Sequence, residues 1–176
     1  MLRPYDRRPS TFYLLPSNFS LPMTDQHLPR PRIAVVHGPN LNLLGVREPR
    51  LYGHSTLDDI HAALRHEADS LGVDIVSTFQ SNHEGVLIDH LHALRGQVHG
   101  ILLNGGALTH TSIALRDAIA AIEVPTVEVH LSNVYAREEF RQVSVTASVC
   151  VGGVFGLGVG SYRAALVGLT EYLRRV

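Results

Sequence analysis

Four short polar stretches, each after an apolar run, carry most of the side chains that could do chemistry. They are residues 37–42, 80–85, 104–112 and 130–133, and they are rich in Asn, His and Ser. An ordinary solvated loop would favour Lys, Glu and Asp instead. Because amides, hydroxyls and imidazoles are neutral hydrogen-bonding groups, the four stretches predict a site for a small polyhydroxylated ligand.

Glu128 and His130 form the first candidate pair for acid–base chemistry. Side chains two residues apart on a strand point to the same face, and a carboxylate beside an imidazole fixes its tautomer and raises its basicity. His130 is then a candidate general acid. A histidine at the end of a strand can also simply cap the following loop, and the residue types leave both interpretations open.

Arg47 and Tyr52 form the second candidate pair, in the long connection after the first apolar run. A guanidinium within a few ångströms favours tyrosinate, since an opposite charge at that range lowers a pKa by about 1 to 3 units. Tyr52 would then be a usable base on a segment lying above the sheet. The alternative is that Arg47 pairs with Glu48 on the surface while Tyr52 packs at a turn with Gly53.

Several kinds of catalysis are disfavoured by composition. All 15 basic residues are Arg, which excludes a Schiff base and the lysine of a phosphate-binding P-loop. The single cysteine, Cys150, lies in an apolar run and is expected to be an inert buried thiol in a reducing, cytoplasmic compartment. The 11 histidines include no His-x-x-x-His pair, and His90 and His92 would point to different faces of a helix, so no metal site is expected.

The overall composition fits one domain with a small-molecule ligand. The chain has 176 residues, 45% of them apolar, and a formal net charge of −1, which disfavours nucleic-acid and anionic-membrane partners. Residues 1–31 hold six of the nine prolines and no sustained period, so we expect a disordered N-terminal extension before a domain over 32–176. The longest apolar stretch of the extension, residues 12–15, is too short for a signal peptide or a membrane span.

The elements that must position the polar stretches alternate in type. Strands are predicted at 32–37, 73–79, 98–103, 126–131 and 148–155, and helices at 55–71, 84–95, 112–122 and 161–175. This order predicts an α/β fold: a flavodoxin-like, doubly wound, five-stranded parallel sheet with helices on both faces. Ligands of such folds bind at the carboxyl ends of the strands, where the polar stretches lie. The glycine-rich residues 156–160 come after the last strand and predict a tight turn rather than a dinucleotide loop.

Six ordered motifs resemble the type II 3-dehydroquinate dehydratases. They are HGPNLNLLG from His37, REP from Arg47 with Tyr52-Gly53, QSNHEG from Gln80, THTS from Thr109 with Arg116-Asp117-Ala118, EVHLSN from Glu128, and AREEFR from Ala136. The similarity runs from residue 32 to the C-terminus. It implies a flavodoxin-like subunit, a homododecamer built as a tetramer of trimers, and cofactor-free dehydration of 3-dehydroquinate to 3-dehydroshikimate in the shikimate pathway of aromatic amino acid biosynthesis.

The resemblance also implies roles for individual residues. Losing water from a β-hydroxy ketone needs a base, an oxyanion site and an acid. The resemblance assigns these to Tyr52 with Arg47 beside it, to Asn40 with a bound water, and to His130 supported by Glu128. The implied substrate contacts are Asn104, His110, Leu131, Ser132 and Arg141, with Asp117 supplied by a neighbouring subunit.

Other functions stay open beside this one. Quinate breakdown uses the same reaction, and a nonenzymatic flavodoxin-like binding domain or a flavin carrier would share the fold. A flavin carrier is disfavoured because residues 38–41 lack the hydroxyls of a phosphate loop and the chain has no Trp. The chain departs from the family at His37, where Asn is often found, and after Asn104, where many members have proline. The proline-rich extension has no family counterpart.

Overall fold

The computed structural model describes residues 30–46 and 54–176. In these residues five parallel strands form one sheet in the order β2-β1-β3-β4-β5. This confirms the predicted flavodoxin-like α/β fold. The strands are β1 (Arg32–His37), β2 (Asp74–Gln80), β3 (Gly100–Asn104), β4 (Thr126–His130) and β5 (Gly152–Phe155). The helices are α1 (Leu57–Leu71), α2 (Glu84–Leu94), α3 (Leu108–Thr111), α4 (Ile113–Ile122) and α5 (Gly160–Leu173).

Two apolar layers hold the helices on opposite faces of the sheet. Successive side chains of a strand point to opposite faces, so Ile33 and Val35 of β1 pack with α1 and α5, while Ala34 and Val36 pack with α2 and α4. All four of these side chains are fully buried. A central strand covered on both faces reads as an unbroken apolar run, which is why the sequence identifies β1 so clearly.

Local hydrogen bonds set where α1 begins and ends. The Thr56 hydroxyl accepts from the Asp59 amide at 3.2 Å, and the Asp59 carboxylate accepts from the Thr56 amide at 2.9 Å. This capping box starts the helix at Leu57 rather than at the predicted residue 55. Gly72 ends it with a φ of 68°, a left-handed conformation that glycine adopts without strain.

The two largest differences from the sequence prediction lie before β5 and after β3. The fifth strand begins at Gly152 rather than at 148, because residues 147–149 form a 3-10 turn in which the Ser144 hydroxyl accepts from the Ala147 amide at 2.9 Å. The third polar stretch contains the short helix α3, which the residue pattern does not predict. Ser112 then caps α4 by accepting from the Leu115 amide at 2.8 Å.

The described residues begin inside the expected N-terminal extension. Residues 1–29 of the expected extension lie outside the described residues. Arg30, also assigned to the extension, forms an ion pair with Asp74 at 3.1 Å and donates to the Val73 carbonyl at 2.9 Å.

Between β5 and α5, Gly156 and Gly158 have φ of 92° and 58°, so the predicted tight turn is confirmed. No helix in the described ranges is long and apolar enough to cross a membrane.

Candidate active site

Strand register brings the polar stretches to one edge of the sheet. His37, the last residue of β1, pairs with Gln80 of β2 on one side and with Asn104 of β3 on the other. A cavity of about 110 Å³ opens above the ends of β1, β3 and β4. Among the predicted site residues, those that line this cavity are Asn40, Asn104, His110, His130, Leu131, Ser132 and Arg141.

Asn40 is held at the cavity by the second polar stretch. Its backbone is left-handed, with a φ of 66°, a conformation that Asn tolerates better than most residues. The Asn40 amide donates to the Asn82 side-chain oxygen at 2.8 Å, and Gln80 donates to the same oxygen at 3.1 Å. Residues 80–85 therefore support the first loop rather than line the cavity, and the supporting role of Asn82 was missed in the sequence.

The loops after β1 and β3 approach each other through glycine. The Gly38 amide donates to the Asn104 carbonyl at 2.7 Å. A Cβ added at Gly38 would lie 2.3 Å from the Gly105 carbonyl oxygen, a backbone atom that cannot rotate away. Only glycine fits at this contact without moving one of the two loops.

His130 and Glu128 form the hydrogen-bonded pair that their spacing predicts. His130 Nε2 lies 2.9 Å from Glu128 Oε1, and both residues are buried. The carboxylate accepts a hydrogen bond from the Nε2–H group of His130. This bond orients the ring and leaves Nδ1 as the nitrogen for proton exchange. His130 lines the cavity, whereas Glu128 lies behind it, as a supporting group rather than a substrate contact.

Two hydroxyls that were not among the predicted site residues hold the other oxygen of Glu128. Ser144 and Thr146 donate to Oε2 at 2.8 and 2.6 Å. Burial alone would raise the pKa of Glu128, but hydrogen bonds from His130, Thr146 and Ser144, together with the charge of His130, outweigh burial and lower it. Glu128 is therefore ionised, and both of its carboxylate oxygens accept hydrogen bonds. Ser144 and Thr146 are sixteen and eighteen residues away in sequence, and no local spacing reveals the contact.

His110 faces His130 across the cavity. The two rings stack with centroids 6.1 Å apart. His110 Nδ1 lies 2.7 Å from the Val143 carbonyl oxygen, which can only accept a hydrogen bond. Nδ1 therefore carries the proton, and Nε2 is left as an acceptor suited to a ligand hydroxyl.

The wall formed by residues 137–141 presents two arginines to the cavity. Arg137 and Arg141 both line the cavity and both contact the Glu138 carboxylate, at 3.3 and 3.0 Å. The ion pairs lower the pKa of Glu138, after a first contribution from its own backbone amide. Arg137 was not among the predicted site residues. Two guanidinium groups beside a cavity suit an anionic ligand such as a carboxylate.

Three further predicted site residues have no position shown at the cavity: one lies elsewhere in the fold, and two fall outside the described residues. Asp117 is exposed on α4 and pairs with Arg116 at 2.7 Å, away from the cavity lining. Arg47 and Tyr52 fall in 47–53, outside the described residues. Leu44, three residues before Arg47, does line the cavity, so the chain leaves the described region at the rim of the site.

The described residues also bear on metal and thiol chemistry. No group of three or more His, Cys, Asp or Glu side chains in these residues is arranged to hold a metal ion. Burial, with a further contribution from the charge of Glu128, raises the pKa of Cys150 to about 12. The thiol is therefore protonated near neutral pH, as expected of an inert cysteine, but Cys150 is partly buried rather than buried as the sequence predicted.

Comparison with known proteins agrees with this arrangement. The family model for class II dehydroquinase matches residues 31–170. The 3-dehydroquinate dehydratase of Gloeothece citriformis is 56% identical over 82% of this chain and 94% of its own length, and that of Carboxydothermus hydrogenoformans is 54% identical over 82% and 93%. The crystal structure of the type II dehydroquinase from Butyrivibrio crossotus superposes with a TM-score of 0.77 at 40% identity, covering 80% of this chain and 97% of that one. This chain belongs to the class II dehydroquinase family.

Proposed function

We propose that this chain dehydrates 3-dehydroquinate to 3-dehydroshikimate as a type II, cofactor-free hydro-lyase. The buried Glu128–His130 pair beside a cavity lined by amides, imidazoles and arginines is the observation that carries the proposal. It supplies an oriented acid next to groups that suit a hydroxylated carboxylate. Family membership supports the same reaction, since the relatives compared above are named 3-dehydroquinate dehydratase.

The proposed reaction has two proton transfers. Tyr52, as tyrosinate stabilised by Arg47, takes the proton α to the ketone, and the electron pair becomes an enolate whose oxygen meets a water held by Asn40. The enolate then expels the β-hydroxyl group, which takes a proton from His130 and leaves as water. A chain without Lys cannot form an imine with the ketone, so an enolate is the consistent intermediate.

The proposed binding mode uses the remaining cavity residues. The substrate carboxylate would lie against Asn104, Ser132 and the backbone at Leu131, and the ring hydroxyls against His110 and Arg141. The acceptor nitrogen of His110 and the charge of Arg141 fit those partners. Shikimate biosynthesis is the proposed pathway, with quinate breakdown as the alternative that uses the same chemistry. A cytoplasmic location stays an expectation from the thiol Cys150.

We also propose that the enzyme is a homododecamer in which Asp117 contacts the substrate of a neighbouring subunit. Asp117 is exposed on α4, and the apolar Ile113 on the same helix is 56% exposed, which suits a covered surface. Light scattering after size-exclusion chromatography tests the assembly. A fully active monomer at assay concentration would overturn the shared site.

The activity is tested by the ultraviolet absorbance of the conjugated enone that forms when 3-dehydroquinate loses water. We expect the parent to produce it, and Tyr52→Phe and His130→Ala to lose about 100-fold or more in kcat. Tyr172→Phe, at a half-exposed tyrosine near the end of α5, is the matched control and should keep parent activity. A parent that binds the substrate without turnover would instead support the nonenzymatic binding domain.

A further inference from the structure

A chain of hydrogen bonds runs beneath the cavity from Asn104 to the surface. Asn104 Nδ2 lies 3.1 Å from Tyr162 Oη, which lies 2.8 Å from His37 Nδ1. On its other side, His37 Nε2 lies 2.9 Å from His61 Nε2. Tyr162 and His37 are fully buried and Asn104 is 3% exposed, whereas His61 on α1 is partly exposed.

The donor and acceptor of each hydrogen bond between Asn104 and His61 can be derived. The Gly106 amide donates to Asn104 Oδ1 at 3.2 Å, so the side-chain NH₂ group must be the one that faces Tyr162. Tyr162 Oη then accepts from Asn104, and its single hydrogen is left to donate to His37 Nδ1. His37 therefore carries its proton on Nε2 and donates a hydrogen bond to His61 Nε2, which must be unprotonated.

Burial makes this order costly to change. A hydroxyl or amide without a partner inside a protein forfeits its bonds to water and gains nothing in exchange. Burial also keeps both central groups neutral: it lowers the pKa of His37 to about 3, with the charge of His61 adding to the effect, and it raises the pKa of Tyr162. Reversing the amide of Asn104 would turn its NH₂ group toward the Gly106 amide, placing two donors together.

We propose that Tyr162 and His37 are positioning residues that fix the Asn104 amide for the substrate carboxylate. An amide has two hydrogens, and Tyr162 takes one of them, so the second remains for a ligand in the cavity that Asn104 lines. Neither positioning residue lines the cavity itself. The proposal rests on the proposed function, because it takes the carboxylate of 3-dehydroquinate as the ligand.

Kinetics of Tyr162→Phe test the positioning role. This change removes one hydroxyl and keeps the buried ring. We expect KM for 3-dehydroquinate to rise roughly tenfold while kcat stays within about threefold, since one hydrogen bond that orients a binding group is lost. Thr170→Val is the matched control: Thr170 is a fully buried residue of α5 whose hydroxyl has no partner among the described residues. It should leave both constants unchanged.

A double-mutant cycle separates positioning from general destabilisation. If Tyr162 acts through Asn104, then Tyr162→Phe in an Asn104→Ala background should not raise KM further. A KM effect of the same size in both backgrounds would overturn the proposal, as would unchanged constants in Tyr162→Phe with only a lower melting temperature.

Neutron diffraction from deuterium-exchanged crystals tests the proton order without any need for activity. We expect deuterium on His37 Nε2 and on Tyr162 Oη directed at His37, and none on His61 Nε2. Deuterium on His37 Nδ1 would overturn the proposal even in an active enzyme. The expected deuterium positions in a protein that does not turn over 3-dehydroquinate would keep the positioning of Asn104 while refuting the proposed function.

Discussion

Mild acid should weaken the fold through His37. Burial, with a smaller effect from the charge of His61, lowers the pKa of this histidine from 6.5 to about 3. In the unfolded chain His37 therefore binds a proton below pH 6.5, whereas in the folded chain it binds one only below about pH 3. Because the unfolded state binds more protons in that window, the free energy of unfolding falls as the pH falls through it.

The size of the effect follows from the two pKa values. About pH 5 lies about 1.5 units below the unfolded value, and each unit corresponds to about 1.4 kcal/mol, so His37 alone should remove about 2 kcal/mol between about pH 7.5 and about pH 5. His37→Asn provides the reference, since Asn does not titrate. The free-energy difference between parent and variant should shift by that amount across the range.

Denaturant unfolding of both proteins across this pH range, at one fixed protein concentration, measures the difference. His66→Asn, which removes an exposed histidine of α1, controls for the loss of an imidazole as such and should follow the parent. If parent and His37→Asn lose stability in parallel, to within about 0.5 kcal/mol, burial does not hold His37 neutral in the folded protein.

Three further predictions concern other parts of the chain. Thr146→Val removes the 2.6 Å hydrogen bond to Glu128, so kcat should fall about 3- to 10-fold in steady-state assays, whereas Ser148→Ala should not change it. Gly38→Ala should lower the free energy of unfolding by about 2 kcal/mol or more because of the 2.3 Å clash with Gly105, whereas Gly85→Ala, which has open space and lies in α2, should not destabilise the protein. Deleting residues 1–22 should leave activity and melting temperature unchanged, and a marked drop in either would show that the extension packs on the domain.

Local periodicity was enough to predict the fold and the edge where the site lies. The apolar runs of β1 and β3 and the single apolar stripe of α1 follow directly from how such elements are buried. The Glu128–His130 pair was also predictable, because two-residue spacing on a strand is a local rule.

Contacts between distant residues could not be predicted in this way. Thr146 reaches Glu128 and Tyr162 reaches Asn104 only after the sheet and α5 have assembled, so no spacing along the chain announces either contact. The late start of β5 has the same origin, since residues 144–149 turn back toward Glu128 instead of extending. The roles of Arg47 and Tyr52 stay predictions from sequence.

The glycine contact between the loops after β1 and β3 makes those loops one mechanical unit. Gly38 is bonded to the backbone of Asn104, and a Cβ at Gly106 would lie 3.0 Å from the Pro39 carbonyl, so main chain rests on main chain at both points. Because their backbone atoms are in direct contact, neither loop can move without the other when a ligand enters. Shape changes during turnover must then come from the other walls, so amide hydrogen exchange at Gly38 should be slow and insensitive to ligand while that of residues 134–141 responds.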